Sequence, residues 1–309
     1  MDAVAQVRRF NRVVTQRVGA LDDHFLSRDR PLGEARLLWE IGPDGCEVRA
    51  LRSRLGLDSG YVSRLLRSLE ADGLVTVGQS AHDRRVATAQ LTRRGLKERA
   101  LLDRRSDTLA ASLLEPLSDG QRNRLVTAMG EVERLLTAGL VRIEPRDPAD
   151  PQAQHCLREY VRELDRRFDA GWDPSRSISA DPHEMRPPAG LLLVASLASE
   201  PIGCGGLKFH DGEPTEIKRM WVAPSARGLG VGRRLLTELE AHAAERATSP
   251  VVRLETNGTL SEAIALYRSA GYREVPAFNH EPYAHHWFEK RLRRRTQPSS
   301  TARSARPSA

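Results

Sequence analysis

The pattern of apolar positions divides the chain into a helical first part and a mixed second part. Through residues 3–140, apolar side chains recur at three- and four-residue steps, the period of amphipathic helices. The longest such stripe covers residues 7–25, and another covers 32–41. Two short helical patterns separated by Gly56 come next, and two β-like runs then flank a polar tip at 78–85. This order predicts a mainly α domain with one β-hairpin.

Further along, strand and helix patterns alternate. The segment 144–151 has three prolines and charges of both signs, which is typical of a linker, and we expect it to join two domains. A helix is predicted at 155–168, followed by an antiparallel strand pair at 190–197 and 201–210. Strands are also predicted at 216–222, 251–256, 272–275 and 285–289, with helices ending near 247 and 270.

Composition excludes several classes of protein. Apolar residues make up 39% of the 309 positions, enough for buried cores and too many for a disordered chain. The longest apolar run, 191–198, is far shorter than the ~20 residues of a membrane helix. Cys46, Cys156 and Cys204 are too widely spaced to suggest a disulfide framework or zinc cluster. Acids and arginines stand where a signal peptide needs an apolar core, so the chain is predicted to be cytoplasmic. The short apolar run and the scattered cysteines also predict that it neither spans a membrane nor binds a metal ion.

The net charge of +7 suggests nucleic acid, but its distribution matters more than its size. Residues 1–140 carry +4, residues 141–290 carry −3, and the last nineteen residues carry +6. That basic tail, 291–309, is too polar to pack and is predicted to be disordered. Within the first part, residues 49–94 alone carry +5, because nine arginines face four acids. The charge that supports DNA binding is therefore local.

The segment 47–75 has the pattern of two short helices around a turn, the second suited to the major groove of DNA. Gly56 permits the turn, and Asp58 or Ser59 can cap the second helix. A leucine-rich stripe occupies one face of that helix, and hydroxyl and arginine side chains occupy the other. We predict that the recognition helix and the hairpin tip bind DNA through Ser59, Tyr61, Ser63, Arg64, Arg67, Arg84 and Arg85.

These motifs resemble the MarR-type winged helix-turn-helix regulators. The resemblance covers about residues 3–140 and is carried by LGLDSGYVSRLLRSLEADGLV, then HDRR, then LTRRG. It implies a homodimer held by the first and last helices and a near-palindromic double-stranded DNA operator. A helical bundle with solvated arginines, or a winged domain that serves only for dimerisation, remains the alternative.

The second motif is a glycine-rich turn after a predicted strand, within EIKRMWVAPSARGLGVGRRLL at 216–236. Glycines let successive N–H groups point into one concavity, and a helix N-terminus favours negative charge, so a pyrophosphate fits there. Arg227 and Arg233 would add positive charge. By itself the turn is also compatible with a dinucleotide site or a plain tight turn. The antiparallel strand pair before it argues against the parallel dinucleotide fold.

A third segment, LETNGTLSEAIALYRSAGYREV at 254–275, completes a resemblance to the GNAT acetyltransferase superfamily over about residues 142–290. The resemblance implies an α/β fold with a mixed, mostly antiparallel sheet whose two central strands splay apart to admit acetyl-CoA. It also implies that the backbone of Met220, Trp221 and Val222 pairs with the pantetheine arm. The amides of Gly228, Leu229, Gly230, Val231, Gly232 and Arg233 would hold the pyrophosphate, with Asn257 near the pantetheine.

Amine acetylation needs a group that removes a proton, an oxyanion donor and an acid for the leaving thiolate. By resemblance, Tyr267 takes the position of the acid, and the Val222 N–H is a candidate oxyanion donor. Glu216 is the candidate base. The alternatives are core packing for Tyr267 and a solvated strand charge for Glu216.

The segment 277–292 is rich in histidine and aromatic residues and is expected to border the acceptor pocket. Tyr283, His285 and His286 are the candidate substrate-binding residues. Adjacent strand residues face opposite sides, which argues against a metal site at the two histidines.

The sequence therefore predicts a fused regulator and enzyme. Residues 1–141 would form the winged helix-turn-helix domain, 142–290 the acetyltransferase domain, and 291–309 the tail. The enzyme would transfer acetyl from acetyl-CoA to a small amine or an amino terminus. A transcription factor whose second domain only senses acetyl-CoA is the alternative.

Overall fold

The computed structural model describes residues 2–20, 26, 30–79, 85–168, 171–173, 175–178 and 180–292. The chain forms two compact units, Met1–Val132 and Glu133–Ala309. This division lies a few residues before the domain boundary expected after residue 141, which stays a prediction. From residue 293 onwards, the predicted basic tail lies outside the described residues.

The first unit consists of helices and one small antiparallel sheet, in which the predicted hairpin is joined by a further short strand. Its three strands are ordered β1-β3-β2. The helices are α1 (Ala3–Arg17), α2 (Leu32–Ile41), α3 (Val48–Leu55), α4 (Ser59–Ala71), α5 (Arg93–Leu114) and α6 (Asp119–Gly139), the last of which extends past the division between units. The strands are β1 (Cys46–Glu47), β2 (Val75–Gln79) and β3 (Ala87–Leu91).

Local sequence explains the turn between α3 and α4. Gly56 ends α3 in a left-handed conformation with φ +63°, which costs a glycine little. Asp58 then caps α4, because its carboxylate accepts a hydrogen bond from the Tyr61 N–H at 2.9 Å. The predicted apolar stripe of α4 is buried in the core of the unit, through Val62, Leu65, Leu66 and Leu69.

Helix α1 differs from the prediction in length and in burial. The stripe expected over 7–25 forms a helix only as far as Arg17, and residues 21–25 lie outside the described residues. None of its residues is buried: Val7 is 57% exposed and Phe10 is 43% exposed. An apolar stripe that stays exposed on one copy of a chain is a candidate contact surface.

The second unit has an α/β fold. Its helices are α7 (Pro151–Arg167), α8 (Val231–Arg246) and α9 (Ser261–Ser269). Its strands are β4 (Arg142–Pro145), β5 (Gly190–Leu197), β6 (Glu200–Lys208), β7 (Thr215–Val222), β8 (Val251–Thr256), β9 (Arg273–Val275) and β10 (His286–Arg291).

The seven strands form one sheet in the order β4-β5-β6-β7-β8-β10-β9. The neighbouring strands are antiparallel except β7 and β8, which are parallel. The mixed, mostly antiparallel sheet is confirmed. The prediction of a linker at 144–151 is wrong. Its first residues belong to β4, where Glu144 is paired with Val194, and its last residue, Pro151, starts α7.

None of the described helices is long and apolar enough to span a membrane.

Gly95, at the start of α5, packs closely against the backbone of the first unit, and its substitution tests that packing. A Cβ on Gly95 would lie 2.0 Å from the Leu74 carbonyl oxygen, just ahead of β2. We expect Gly95→Ala to destabilise the unit by about 1–3 kcal/mol, because backbone cannot move aside as a flexible side chain can. Hydrogen exchange should then accelerate in peptides from α4, β2 and α5. Gly120→Ala, where nothing lies within 4 Å of the added Cβ, is the control and should leave exchange unchanged. Equal exchange in both variants would contradict the close packing of Gly95 against Leu74.

Candidate functional site

The outer face of α4 presents polar side chains to solvent. Ser59, Ser63, Arg64 and Arg67 are exposed, whereas Tyr61 is half-buried and packs against the core of the unit. The guanidinium of Arg64 lies 5.6 Å from the Tyr61 ring centroid. The face therefore combines hydroxyls with two exposed arginines, a surface suited to a major groove.

Long-range hydrogen bonds anchor α4 to α2, which the sequence did not indicate. The buried Glu34 of α2 accepts a hydrogen bond from the Ser68 hydroxyl at 2.7 Å. Arg30 donates to the same carboxylate at 2.7 Å and also lies 3.0 Å from Asp72, at the end of α4. The recognition helix is thus fixed from behind, which leaves its outer face available.

The hairpin formed by β2 and β3 is the predicted wing. Its two strands pair from Val75↔Leu91 to Gln79↔Ala87. Glu70 of α4 accepts a hydrogen bond from the Val77 N–H at 2.9 Å, which joins the wing to the recognition helix. Of the two predicted tip arginines, Arg85 is exposed, and Arg84 lies outside the described residues.

In the second unit, β7 and β8 pair over only two registers and then separate. The pairs are Thr215↔Val252 and Glu216↔Arg253. The Ala223 N–H donates to Ile202 at 2.9 Å, on the β6 side. Because strand N–H groups alternate between edges, the Val222 N–H points to the other side, where β8 has moved away. A gap with unpaired backbone donors therefore opens between the two central strands.

The glycine-rich turn leads from β7 into α8 with the geometry of an anion site. Gly228 and Gly230 have φ +82° and +74°, which favour glycine. No side chain caps the first turn of α8, so its N–H groups are not satisfied by a capping residue. Uncapped N–H groups at a helix N-terminus attract phosphate.

A cavity of about 500 Å³ connects this turn with the gap. Of the residues predicted to bind the cofactor, those in its lining are Met220, Trp221, Val222, Arg227, Gly228, Gly230, Val231, Gly232 and Arg233. Leu229 is not in the lining and packs against the hydrophobic core instead. Glu163, Arg167 and Glu262 also border the cavity, and the sequence did not indicate them.

The two arginines predicted to add charge at the turn are bound to other side chains. Arg227 donates to both carboxylate oxygens of Glu163 at 2.6 Å, and Trp221 Nε1 donates to the same carboxylate at 2.9 Å. Arg233 donates to the Ser269 hydroxyl. The charge of Arg227 is therefore compensated by Glu163, and backbone amides supply the main attraction for an anion.

Across the cavity, Arg167 of α7 pairs with Glu262 of α9 through two hydrogen bonds of 3.0 Å. The hydrogen bonds from Arg167 lower the pKa of Glu262 to about 2, so this carboxylate is charged at neutral pH. The pair joins the two helices that border the cavity.

A second cavity of about 100 Å³ adjoins the first, and both are lined by Tyr160, Met220 and Tyr267. Asn257 and Tyr283 are in its lining, as expected of site residues, and the Asn257 amide donates to the Tyr283 carbonyl at 2.7 Å. Further lining residues are Phe168, Trp172, Lys218, Arg219, Glu255 and Glu281.

The two predicted histidines are not in the lining of either cavity. His285 accepts a hydrogen bond from the Gly258 N–H at 3.1 Å, and His286 contacts Glu274 at 2.6 Å. Among the described residues, no three histidine, cysteine or acidic side chains are grouped to hold a metal ion.

Tyr267 lies where the two cavities meet. It is buried, with its ring centroid 6.0 Å from those of both Tyr272 and Phe288. Burial, with the nearby Tyr160 and Glu255, raises the pKa of Tyr267 well above its ordinary value. The phenol therefore stays protonated at neutral pH and can donate a proton.

Of Glu255 and the predicted base Glu216, only Glu255 lines a cavity. Glu216 is buried at the last paired register of β7 and binds Arg253 at 2.8 Å and Lys218 at 3.1 Å. It is in the lining of neither cavity, whereas Lys218 and Glu255 line the smaller one. A possible signal was present in the sequence, since Glu255 stands two residues before Asn257 at the end of a predicted strand.

Comparisons with known proteins agree with this geometry. Residues 157–272 match the acetyltransferase (GNAT) family and residues 29–86 the MarR family. The chain is 33% identical over 131 residues to an IAA acetyltransferase of Azospirillum brasilense, a match that covers 42% of this chain and 84% of that protein. It is 32% identical over 126 residues to an N-alpha-acetyltransferase RimI of Mycobacterium tuberculosis, covering 40% of this chain and 73% of that protein.

Among solved structures, a MarR-family transcriptional regulator from Rhodococcus aligns at 18% identity with a TM-score of 0.36. That alignment covers 43% of this chain and 96% of the regulator. The sequence relationships, together with the split sheet and the winged helix, show that the chain belongs to the GNAT acetyltransferase family and carries a MarR-type winged helix-turn-helix domain in its first part.

Proposed function

We propose that this chain is a cytoplasmic, DNA-binding transcriptional regulator that also acetylates an amine with acetyl-CoA. The observation that carries the enzymatic half is the junction of two cavities at the gap between β7 and β8, with Tyr267 in both linings. One cavity reaches the uncapped first turn of α8 and the other is lined by aromatic and polar side chains. A donor and an acceptor can therefore meet at one buried phenol.

In this proposal acetyl-CoA binds in the larger cavity. The uncapped amides of Val231, Gly232 and Arg233 would hold the pyrophosphate, and the unpaired edge of β7 from Met220 to Val222 would bind the pantetheine arm. Asn257 would lie beside that arm. When bound, acetyl-CoA supplies the thioester that the amine nitrogen attacks.

The residues around the gap divide the proton transfers between them. Glu255 accepts a proton from the attacking amine, and the Val222 N–H stabilises the oxyanion. Tyr267 gives its hydroxyl proton to the sulfur as the carbon–sulfur bond breaks. The proton on Glu255 then passes to the Tyr267 phenolate, which restores both residues, so the products are the acetylated amine and the free thiol. We favour Glu255 over Glu216 as base, because only Glu255 borders a cavity.

The small volume of the second cavity favours an acceptor that inserts only an amino group and a few neighbouring atoms. Tyr283, which stacks on Phe168 with ring centroids 5.6 Å apart, would contact it. The name of one relative, an N-alpha-acetyltransferase, supports an amino terminus as the acceptor. His285 and His286 would act from outside the cavity wall.

The regulatory half rests on the exposed face of α4 and on the wing. Arg64 and Arg67 would enter the major groove of an operator with Ser59, Tyr61 and Ser63, and Arg84 and Arg85 would contact the adjacent backbone or minor groove. The exposed apolar stripe of α1 would be covered by a second copy, which matches a near-palindromic operator.

The alternative is a regulator that senses acetyl-CoA without turnover. The direct test is to measure acetyl-CoA-dependent release of free CoA across a panel of small amines and short peptides. In parallel, operator affinity is measured with and without acetyl-CoA. Turnover with any amine supports the enzyme. A change in operator affinity without turnover supports the sensor.

Replacing Tyr267 with phenylalanine should lower kcat by about 10²-fold or more while acetyl-CoA affinity stays unchanged, because only the proton donor is lost. Since burial raises the pKa of Tyr267, the phenol is protonated below its folded pKa, and the wild-type kcat profile should show no basic limb from Tyr267 below about pH 10. Tyr272→Phe is the matched control, because Tyr272 is equally buried beside Tyr267 but lines neither cavity. Equal kcat in both variants would remove Tyr267 from the mechanism.

Replacing Arg64 with alanine should weaken operator binding by about 1–3 kcal/mol and relax the sequence preference, because a contact with base edges is lost. Binding isotherms at several salt concentrations measure both effects. Arg36→Ala provides the control, since Arg36 is exposed on α2 and paired with Glu40 at 2.8 Å. The prediction fails if the two variants bind alike.

Replacing Val7 and Phe10 together with glutamate should convert the dimer to monomer at micromolar concentration, because four charges would be brought together in an apolar contact. Sedimentation velocity measures the change. Arg12→Glu, on the opposite face of α1, should leave the dimer intact. A wild-type chain that sediments as a monomer would contradict the proposed dimer contact through α1.

A further inference from the structure

Four charged side chains alternate in sign at the point where β7 and β8 separate. Glu216 and Arg253 form the last paired register of the two strands. Lys218 and Glu255 stand two residues further along, so they share the same face of the sheet. Each strand thus contributes one acidic and one basic side chain, and each acidic side chain lies opposite a basic one on the neighbouring strand.

Direct contacts join the four side chains into one buried network of ion pairs. Arg253 lies 2.8 Å from one oxygen of Glu216, and the Lys218 ammonium lies 3.1 Å from the other. The Lys218 ammonium also donates to Oε1 of Glu255. The side chains of Glu216, Lys218 and Glu255 are only 7–9% exposed. Lys218 therefore bridges the gap between the diverging strands.

The two oxygens of Glu255 have different surroundings. Oε1 is held by Lys218, whereas Oε2 is buried and has no hydrogen-bond partner among the described residues. Leaving a buried carboxylate oxygen without a donor is unfavourable unless a ligand supplies one. Glu255 lines the smaller cavity, so the donor can come from a molecule bound there.

We propose that Lys218, held in place by Glu216, is a positioning residue that fixes Oε1 of Glu255 and leaves Oε2 to accept a hydrogen bond from the amino group of the acceptor. This inference rests on the proposed function, in which Glu255 is the base. It gives Glu216 a role one step removed from the reacting atoms: it holds the lysine that holds the base.

Other polar and titratable groups lie around these four charged side chains. Tyr160 of α7 and Tyr267 of α9 face Glu255, and Arg219 lies near Tyr160. On the far side, His210 is 3.7 Å from Glu216, and Glu213 is 3.5 Å from Arg253. Burial alone would lower the pKa of Lys218, but Glu255 and Glu216 raise it above its ordinary value. Burial would raise the pKa of Glu216, but Lys218 and Arg253 lower it.

The test removes either the lysine or its anchor. In Lys218→Met, Oε1 of Glu255 loses its donor and the carboxylate can turn away from the acceptor, so kcat should fall by about 10- to 100-fold while the KM for acetyl-CoA stays unchanged. In Glu216→Gln, Lys218 loses the carboxylate that anchors it, so kcat should fall in the same direction by a smaller factor. Lys218→Arg, which can still donate to Oε1, should restore part of the wild-type kcat. A merely structural role would not confine the loss to kcat.

Lys290→Met is the matched control, because Lys290 also pairs with a glutamate, Glu240 at 2.6 Å, but lines neither cavity. Its kcat and KM should equal those of the wild type. Acetyl-CoA binding by calorimetry verifies that each variant is folded. An unchanged kcat in Lys218→Met, or no recovery in Lys218→Arg, would overturn the proposal even if Glu255→Gln abolishes turnover.

A measurement that needs no turnover separates this proposal from the proposed function. Carboxyl-carbon NMR of the full chain with ¹³C-labelled glutamate can follow Glu255, its signal identified by its loss in Glu255→Gln. At one neutral pH, the chemical shift of the Glu255 carboxyl carbon should change in Lys218→Met, change less in Glu216→Gln and keep its wild-type value in Lys290→Met. If no amine is acetylated but the signal moves this way, the proposed function fails and the positioning role stands. An unmoved signal rejects the role.

Discussion

The early separation of β7 from β8 is the constraint on which the second unit depends. Parallel pairing stops after Glu216↔Arg253. On the other edge of β7 the register with β6 shifts between Cys204 and Gly206, and Arg219 takes a positive φ of +57°. A bulge increases local strand twist, which turns β7 away from β8 just beyond their last pair. The gap, its unpaired backbone donors and both cavities follow from that single irregularity.

Opening a sheet at its centre removes backbone hydrogen bonds, and the chain compensates with side chains. Lys218 spans the two strands just past their last pair through Glu216 and Glu255. Buried charges are tolerated only when paired, and here each has a partner of opposite sign. The same ion pairs that close the bottom of the gap thus place a carboxylate at the wall of the smaller cavity.

Features encoded by neighbouring residues could be predicted, and features that depend on distant residues could not. Gly56 and Asp58 act on their own turn, so the recognition helix was predicted from sequence, as was the glycine turn before α8. The contact of Ser68 with Glu34 joins residues 34 positions apart and has no local signal. The end of β4 overlaps the predicted linker, because Pro145 and the charges beside it are compatible with an edge strand as well as with a loop.

The same distinction explains why counting arginines predicts so little about binding. In sequence Arg227 stands beside the phosphate turn, yet in the fold both oxygens of Glu163 take up its charge. In the first unit Arg30 is likewise occupied, by Glu34 and Asp72, where it fixes α4 from behind. An arginine near a site can therefore serve to hold the scaffold. Arg64 and Arg67 differ because they lie on the exposed face of a helix whose other face is buried. Their position on α4, more than the overall charge of +7, supports the proposed recognition of DNA.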